Sequence, residues 1–176
     1  MFNKLIDDLQ QSAHGSASLL AELAGLETYI AETYTQRCLT ELLQNSDDSM
    51  ATKVCIYRDN DDLIYLNNGN VFNENDFLSL CRSALSSKKR GESIGYRGIG
   101  FKSVVNICNS VIVASGELRC AFDRKRTLSL LNTESKVPLI RVPHLLTSEE
   151  LILSQSILGH LEKLQDSLIA IEFKVY

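Results

Sequence analysis

Proline and glycine are scarce in this chain of 176 residues, which has two and nine of them respectively. That excludes collagen-like and Pro/Gly-rich disordered architectures. A surplus of basic charge is also lacking: 18 Lys and Arg stand against 22 Asp and Glu, a net charge of −4. A dedicated duplex-DNA binder carries a basic excess, so direct nucleic-acid binding is not expected of this domain. No apolar run approaches the ~18 residues of a membrane-spanning helix, and the start Met1-Phe2-Asn3-Lys4 has no signal-peptide core. Zinc-ligand spacing is missing as well. The five cysteines (Cys38, Cys55, Cys81, Cys108, Cys120) are never closer than 12 positions, and His14, His144 and His160 lie far apart. An odd set of cysteines among apolar neighbours reads as reduced core thiols. The expectation is a soluble domain of the cytoplasm.

What is present is ordinary globular material: 44% apolar and 23% charged residues, in a chain long enough to bury roughly 70% of its unfolded surface. Phe2, Leu5, Ile6 and Leu9 recur at helical spacing, and Leu19, Leu20, Leu23 and Leu26 follow a Ser-Ala-His-Gly-Ser break. A third helix is expected from about Glu27 to Asn45, with Tyr34, Cys38, Leu39, Leu42 and Leu43 as its buried stripe. Val54–Tyr57 and Leu63–Leu66 read as a hairpin around Asp59-Asn60-Asp61-Asp62. A helix with Phe77, Leu80, Cys81 and Ala84 comes next, and another with Phe101, Val104, Val105 and Cys108. Val111–Ala114 and Leu118–Phe122, split by Gly116, form a second hairpin, and Thr147 with Glu150 makes a capping box for a helix of about fifteen residues. The final segment alternates Ile169, Ile171, Phe173 and Val175 on one face, as a strand does. The sum is an α/β sandwich, a mixed and mostly antiparallel sheet covered on one face by helices.

Three segments carry chemistry. Glu41, Asn45 and Asp48 stand at i, i+4 and i+7 and so share one face of a helix end. Such a face is either solvated or a ligand set for a hard cation, since Mg²⁺ takes oxygen donors and keeps several waters. Asn67-Asn68-Gly69 ends a strand, either as a plain turn or as an acceptor for an exocyclic amine. Five of the nine glycines (Gly69, Gly91, Gly95, Gly98, Gly100) fall within 32 residues, and Gly95-Tyr-Arg-Gly98-Ile-Gly100-Phe101-Lys102-Ser103 leads into a helix. Backbone amides at such an entrance form an anion cradle, or a tight turn packed against the helix. The run is not a Walker A loop, because Phe101 separates Gly100 from Lys102. It is not a Rossmann loop either, because Ser103 stands where a third glycine is needed.

In this order the three segments resemble the motifs of the GHKL superfamily of ATPases (gyrase, heat-shock chaperone, histidine kinase, MutL). Glu41-Leu-Leu-Gln-Asn45-Ser-Asp-Asp48 looks like its first motif, Asn67-Asn-Gly69-Asn-Val71 like its DxGxG motif, and Gly95–Ser103 like its glycine-rich third. The wording is closest to the chaperone- and sacsin-like branch, to which Phe72 also conforms, over about residues 35 to 115. Two positions differ from the pattern: the usual Asp is Asn67, and the second Gly is Val71.

The resemblance implies a single Bergerat-type domain over residues 1–176, with 1–27 as a helical extension and 86–94 as an ATP lid. It implies ATP and Mg²⁺ as cofactors, with Glu41 as the general base for water. Asn45 would ligate the metal and Asp48 hold its waters or the nucleotide. Asn67 would accept from adenine beside Gly69 and Phe72. Gly95, Gly98, Gly100 and the Phe101 amide would wrap the phosphates, Lys102 would add charge there, and Ser167 would reach adenine through water. It further implies the N-terminal module of a longer protein, hydrolysing slowly on its own. ATP binding would drive homodimerisation or docking of C-terminal or partner domains. A nucleotide-sensing module that binds ATP or ADP without hydrolysis stands as the alternative.

Overall fold

A computed structural model describes the chain over residues 1–82 and 100–166. It is a mixture of helices and small antiparallel sheets. Helix α1 (Phe2–His14) buries Phe2, Ile6, Leu9 and Ala13, a stripe at spacings of four and three. Phe2, Ile6 and Leu9 enter the main core, where the Phe2 and Phe77 rings meet edge to face at 5.8 Å, and Ala13 joins a smaller cluster with Leu20, Leu23 and Val142. The N-terminal stretch read as an extension is therefore built into the domain.

Helix α2 (Ala17–Tyr34) runs unbroken through the boundary expected at Leu26–Glu27. Its buried positions Leu20, Leu23, Ala24, Glu27 and Ala31 keep helical spacing, and Gly25 faces open space. An exposed glycine costs a helix about 1 kcal/mol relative to alanine, too little to end one whose other face is packed. The break comes later, in the 3₁₀ turn Thr35–Arg37, and α3 (Cys38–Asp48) starts after it. The α3 stripe also differs from the expected one. Cys38, Leu42 and Ser46 are buried, whereas Leu39 and Leu43 are 44% and 46% exposed; the Tyr34 side chain lies outside the described set.

Strands β1 (Val54–Asp59) and β2 (Asp62–Asn67) pair antiparallel across an Asn60-Asp61 turn in which Asn60 takes φ 53. Helix α4 (Glu74–Arg82) is capped reciprocally: Asp76 N–H donates to Asn73 Oδ1 and Asn73 N–H to Asp76 Oδ2. Residues 100–106 form a 3₁₀ helix where an α-helix was expected, with Val104 and Val105 buried and Phe101 and Cys108 half-buried against the core. Strands β3 (Ser110–Ser115) and β4 (Leu118–Asp123) make the second hairpin, turning at Gly116 with φ 57.

Three elements went unread in the sequence or were misjudged in length. Helix α5 (Arg124–Leu131) is capped by Asp123, which accepts from Arg126 N–H, and ends at Asn132 in the left-handed region. Strand β5 (Pro143–His144) pairs with β4. Helix α6 (Ser148–Asp166) has the expected capping box, with Thr147 N–H donating to Glu150 Oε2 and Glu150 N–H to Thr147 Oγ1, but is longer than expected. Among the described residues the strands fall into two sheets, β1–β2 and β3–β4–β5, and not into one. The link between the hairpins includes a side chain: Phe72 N–H donates to Ser115 Oγ at 2.9 Å. The expected last strand at 169–175 lies outside the described residues, and no described helix is long and apolar enough to cross a membrane.

Candidate functional site

The end of α3 and the turn after β2 are joined by backbone and side-chain bonds. Ser49 N–H donates to Asn45 O, closing the helix, and the Ser49 carbonyl accepts Asn70 N–H at 2.7 Å. Asn68 holds the intervening loop, its Oδ1 accepting from Thr52 and Lys53 N–H and its Nδ2 donating to Thr52 Oγ1. Halfway along the contact, the buried Ser46 hydroxyl meets the Tyr65 hydroxyl of β2 at 2.7 Å. Burial pushes the Tyr65 phenol above its usual range, which Ser46 partly opposes. On this anchored helix Glu41 and Asn45 are half-buried and Asp48 is exposed.

Gly69 allows a close approach, but the approaching group is Ser49. A Cβ built at Gly69 would fall on Ser49 Oγ and lie 2.9 Å from the Ser49 carbonyl oxygen. Asn67 Oδ1 accepts Gly69 N–H at 2.9 Å, a local turn of the kind asparagine favours. Val71 is 63% exposed and sits beside Gly116, and Phe72 is half-buried against the core. Gly69→Ala is expected to cost about 1–3 kcal/mol by forcing the turn off the end of α3. Urea unfolding monitored by circular dichroism measures this, and an unchanged midpoint would remove the packing role.

The 3₁₀ helix 100–106 packs along both α2 and α3, so the segment that follows the glycine-rich run is a neighbour of the Glu41–Asn45 helix. Lys102 does not face outward from it. It is 2% exposed, its Nζ donates to Ile140 O at 2.9 Å, and it lies 3.6 Å from Glu27 Oε1. Burial pulls its ammonium below the usual lysine range while the Glu27 charge opposes that shift. The expected phosphate-facing role of Lys102 is therefore corrected: its charge is directed into the core because a buried carboxylate stands there to receive it. Gly95, Gly98, Ser167 and the 86–94 segment lie outside the described residues, and Gly100 is the first residue of the 3₁₀ helix.

Sequence reasoning missed Glu27. Its carboxylate, 2% exposed, accepts Leu139 N–H at 2.6 Å and Ile140 N–H at 2.9 Å and has Arg124 Nη2 at 3.8 Å. The available signal was an acid at a core position of the Leu20–Leu23–Ala24–Glu27–Ala31 stripe. A buried charge of this kind needs partners. A second missed network joins α1, α5 and β5: His144 Nε2 bonds Thr127 Oγ1 at 2.9 Å, and Gln10 Nε2 donates to Pro143 O.

None of the five cysteines forms a disulfide, and Cys38, Cys81 and Cys120 are buried. Burial pushes the Cys81 thiol up to about 12 and the Cys108 thiol to about 11, so neither is a ready nucleophile at neutral pH. Among the described residues no cluster of His, Cys, Asp and Glu is sufficient to hold a metal by itself. A shallow hollow lined by Leu9, Ala13, Leu20 and Val142 involves none of the candidate residues. No family model, curated protein or solved structure matches the chain.

Proposed function

We propose that the chain is a Mg²⁺-dependent ATP-binding domain of the GHKL type, with the Bergerat arrangement, that hydrolyses ATP slowly. Nucleotide binding acts as a switch for attached or partner domains, by docking or by pairing two copies. One piece of geometry carries the reading. The helix bearing Glu41, Asn45 and Asp48 is bonded at its end to the 67–70 turn and packs along the 3₁₀ helix that begins at Gly100. Among the described residues, α3, the 67–70 turn bonded to its end and the 3₁₀ helix packed along it support the reading.

The donor set fits a nucleotide-borne metal better than a resident one. Asn45 offers one neutral oxygen and Asp48 one exposed carboxylate, which suits a cation that keeps its waters and phosphate ligands. Mg²⁺, when bound, neutralises phosphate charge and orients the triphosphate. Asn45 holds it, Glu41 takes the proton from the attacking water, and Asn67 accepts from the adenine amine. The backbone amides of Gly95, Gly98, Gly100 and Phe101 stabilise the phosphate oxygens, and Ser167 reaches the base through water. Lys102 is assigned no phosphate contact.

The sensing alternative draws support from that same lysine. With its ammonium committed to Glu27 and Ile140, one cation that would stabilise charge on the γ-phosphate in the transition state is withdrawn. The deciding experiment is thermal unfolding with and without Mg²⁺-ATP. A ligand at 100 times its dissociation constant adds about 2.7 kcal/mol, or roughly 5–11 °C for a domain of this size. No shift with either ATP or ADP refutes the reading; a shift without phosphate release selects the sensor.

A further inference from the structure

We propose that Glu27 is a positioning residue for the nucleotide site, fixing through Lys102 the 3₁₀ helix whose first residues, Gly100 and Phe101, present amides to phosphate. The inference rests on the ATP-binding reading above and extends it to a residue outside the three motifs.

The geometry is a closed triangle. Glu27 accepts Ile140 N–H at 2.9 Å, Ile140 O accepts from Lys102 Nζ at 2.9 Å, and Lys102 Nζ returns to Glu27 at 3.6 Å. The second carboxylate oxygen holds Leu139 N–H at 2.6 Å and has Arg124 at 3.8 Å. One side chain on α2 thereby ties together the 139–140 segment, the start of α5 and the third residue of the 3₁₀ helix. Lys102 is two positions after Gly100, so its anchorage sets where the helix entrance lies relative to α2. The contact of the 3₁₀ helix with α3 then sets that entrance relative to Glu41 and Asn45.

Stability alone is a poor reason for this arrangement. Taking two charges out of water costs several kcal/mol per ion, and an apolar pair of similar volume often serves a core as well or better. What an apolar pair lacks is direction. Phosphate binding by backbone amides depends on placing them to within about 0.5 Å, and supporting contacts of fixed geometry provide that.

The test compares binding of Mg²⁺-ATP and of adenosine to the whole chain by calorimetry, for wild type, Glu27→Gln and Lys102→Met. Positioning predicts that Glu27→Gln weakens Mg²⁺-ATP binding at least tenfold and leaves adenosine binding within twofold, because adenosine has no phosphate to misplace. If Lys102 instead reached phosphate itself, Glu27→Gln would release its ammonium and tighten Mg²⁺-ATP binding. Unchanged or tighter Mg²⁺-ATP binding overturns the proposal, and so does an equal loss for both ligands, which marks a general structural role. Should Glu27→Gln fail to fold, Lys102→Met decides. It keeps the carboxylate with its two backbone donors, and the same selective tenfold loss is expected, with wild-type Mg²⁺-ATP affinity as the overturning result. A wild-type chain that binds neither ligand refutes the ATP-binding reading itself, and this inference with it.

Discussion

Glu41→Ala is expected to slow phosphate release from ATP by roughly 10²–10⁴-fold, the range contributed by a positioned general base, while Mg²⁺-ATP binding stays near the wild-type value. Glu41 is half-buried on a helix pinned by the Ser46–Tyr65 hydroxyl pair and by the Ser49–Asn70 bond, so its carboxylate is presented from a fixed support. A base acts only within hydrogen-bond reach of the proton it removes, and loss of the carboxylate leaves the binding groups in place. Asn45→Ala is the contrast within the same assay, because it removes the metal-holding oxygen and reduces binding itself. Equal single-turnover rates for wild type and Glu41→Ala would strip Glu41 of this role and favour the sensor reading.

Phe77→Ala is expected to destabilise the fold by about 3–5 kcal/mol, the cost of deleting a large ring from a packed interior. Phe77 is fully buried, and it holds Phe2 edge to face with an interplanar angle of 85°, so truncation also removes a ring contact that docks α1 on α4. The midpoint of thermal unfolding falls by roughly 6–20 °C on the usual scaling for a domain of this length. A drop of only a degree or two would mean that the α1–α4 region collapses around the gap, or that α1 contributes little to the cooperative unit. Comparison with a chain lacking residues 1–14 separates those outcomes.

The parts of this fold that were legible in the sequence are the ones decided locally. The α1 and α4 stripes follow from 3.6-residue periodicity, the two hairpins from Asn60 and Gly116, and the start of α6 from the Thr147–Glu150 pair. The parts that were not legible depend on partners far along the chain. Glu27 looked like the polar start of a helix because its partners, Lys102, Arg124, Leu139 and Ile140, are 75 to 113 positions away. Leu39 and Leu43 looked like core because leucine usually is, yet α3 turns Ser46 inward to meet Tyr65 and leaves both leucines partly exposed. Strand β5 was hidden by Pro143, which argues against a central strand, and α5 by the Arg-Lys-Arg run that follows its cap. For the site, the spacing of Glu41, Asn45 and Asp48 was readable along one helix. The direction of Lys102 was not, because a carboxylate on another helix sets it.

The bond from Asn70 to Ser49, with the Asn68 clamp beside it, has a consequence for hydrogen exchange. Amides protected by such contacts are released in cooperative local openings. Here the last turn of α3 and the turn after β2 share their protecting partners: Ser49 is at once the end of one and the acceptor for the other. Fraying of the last turn of α3 takes the acceptor away from the Asn70 amide, and release of Asn68 exposes the Thr52 and Lys53 amides that follow the helix. A ligand that slows deuterium uptake at the end of α3 is therefore expected to slow it at Asn70 as well, with no atom of its own near that residue.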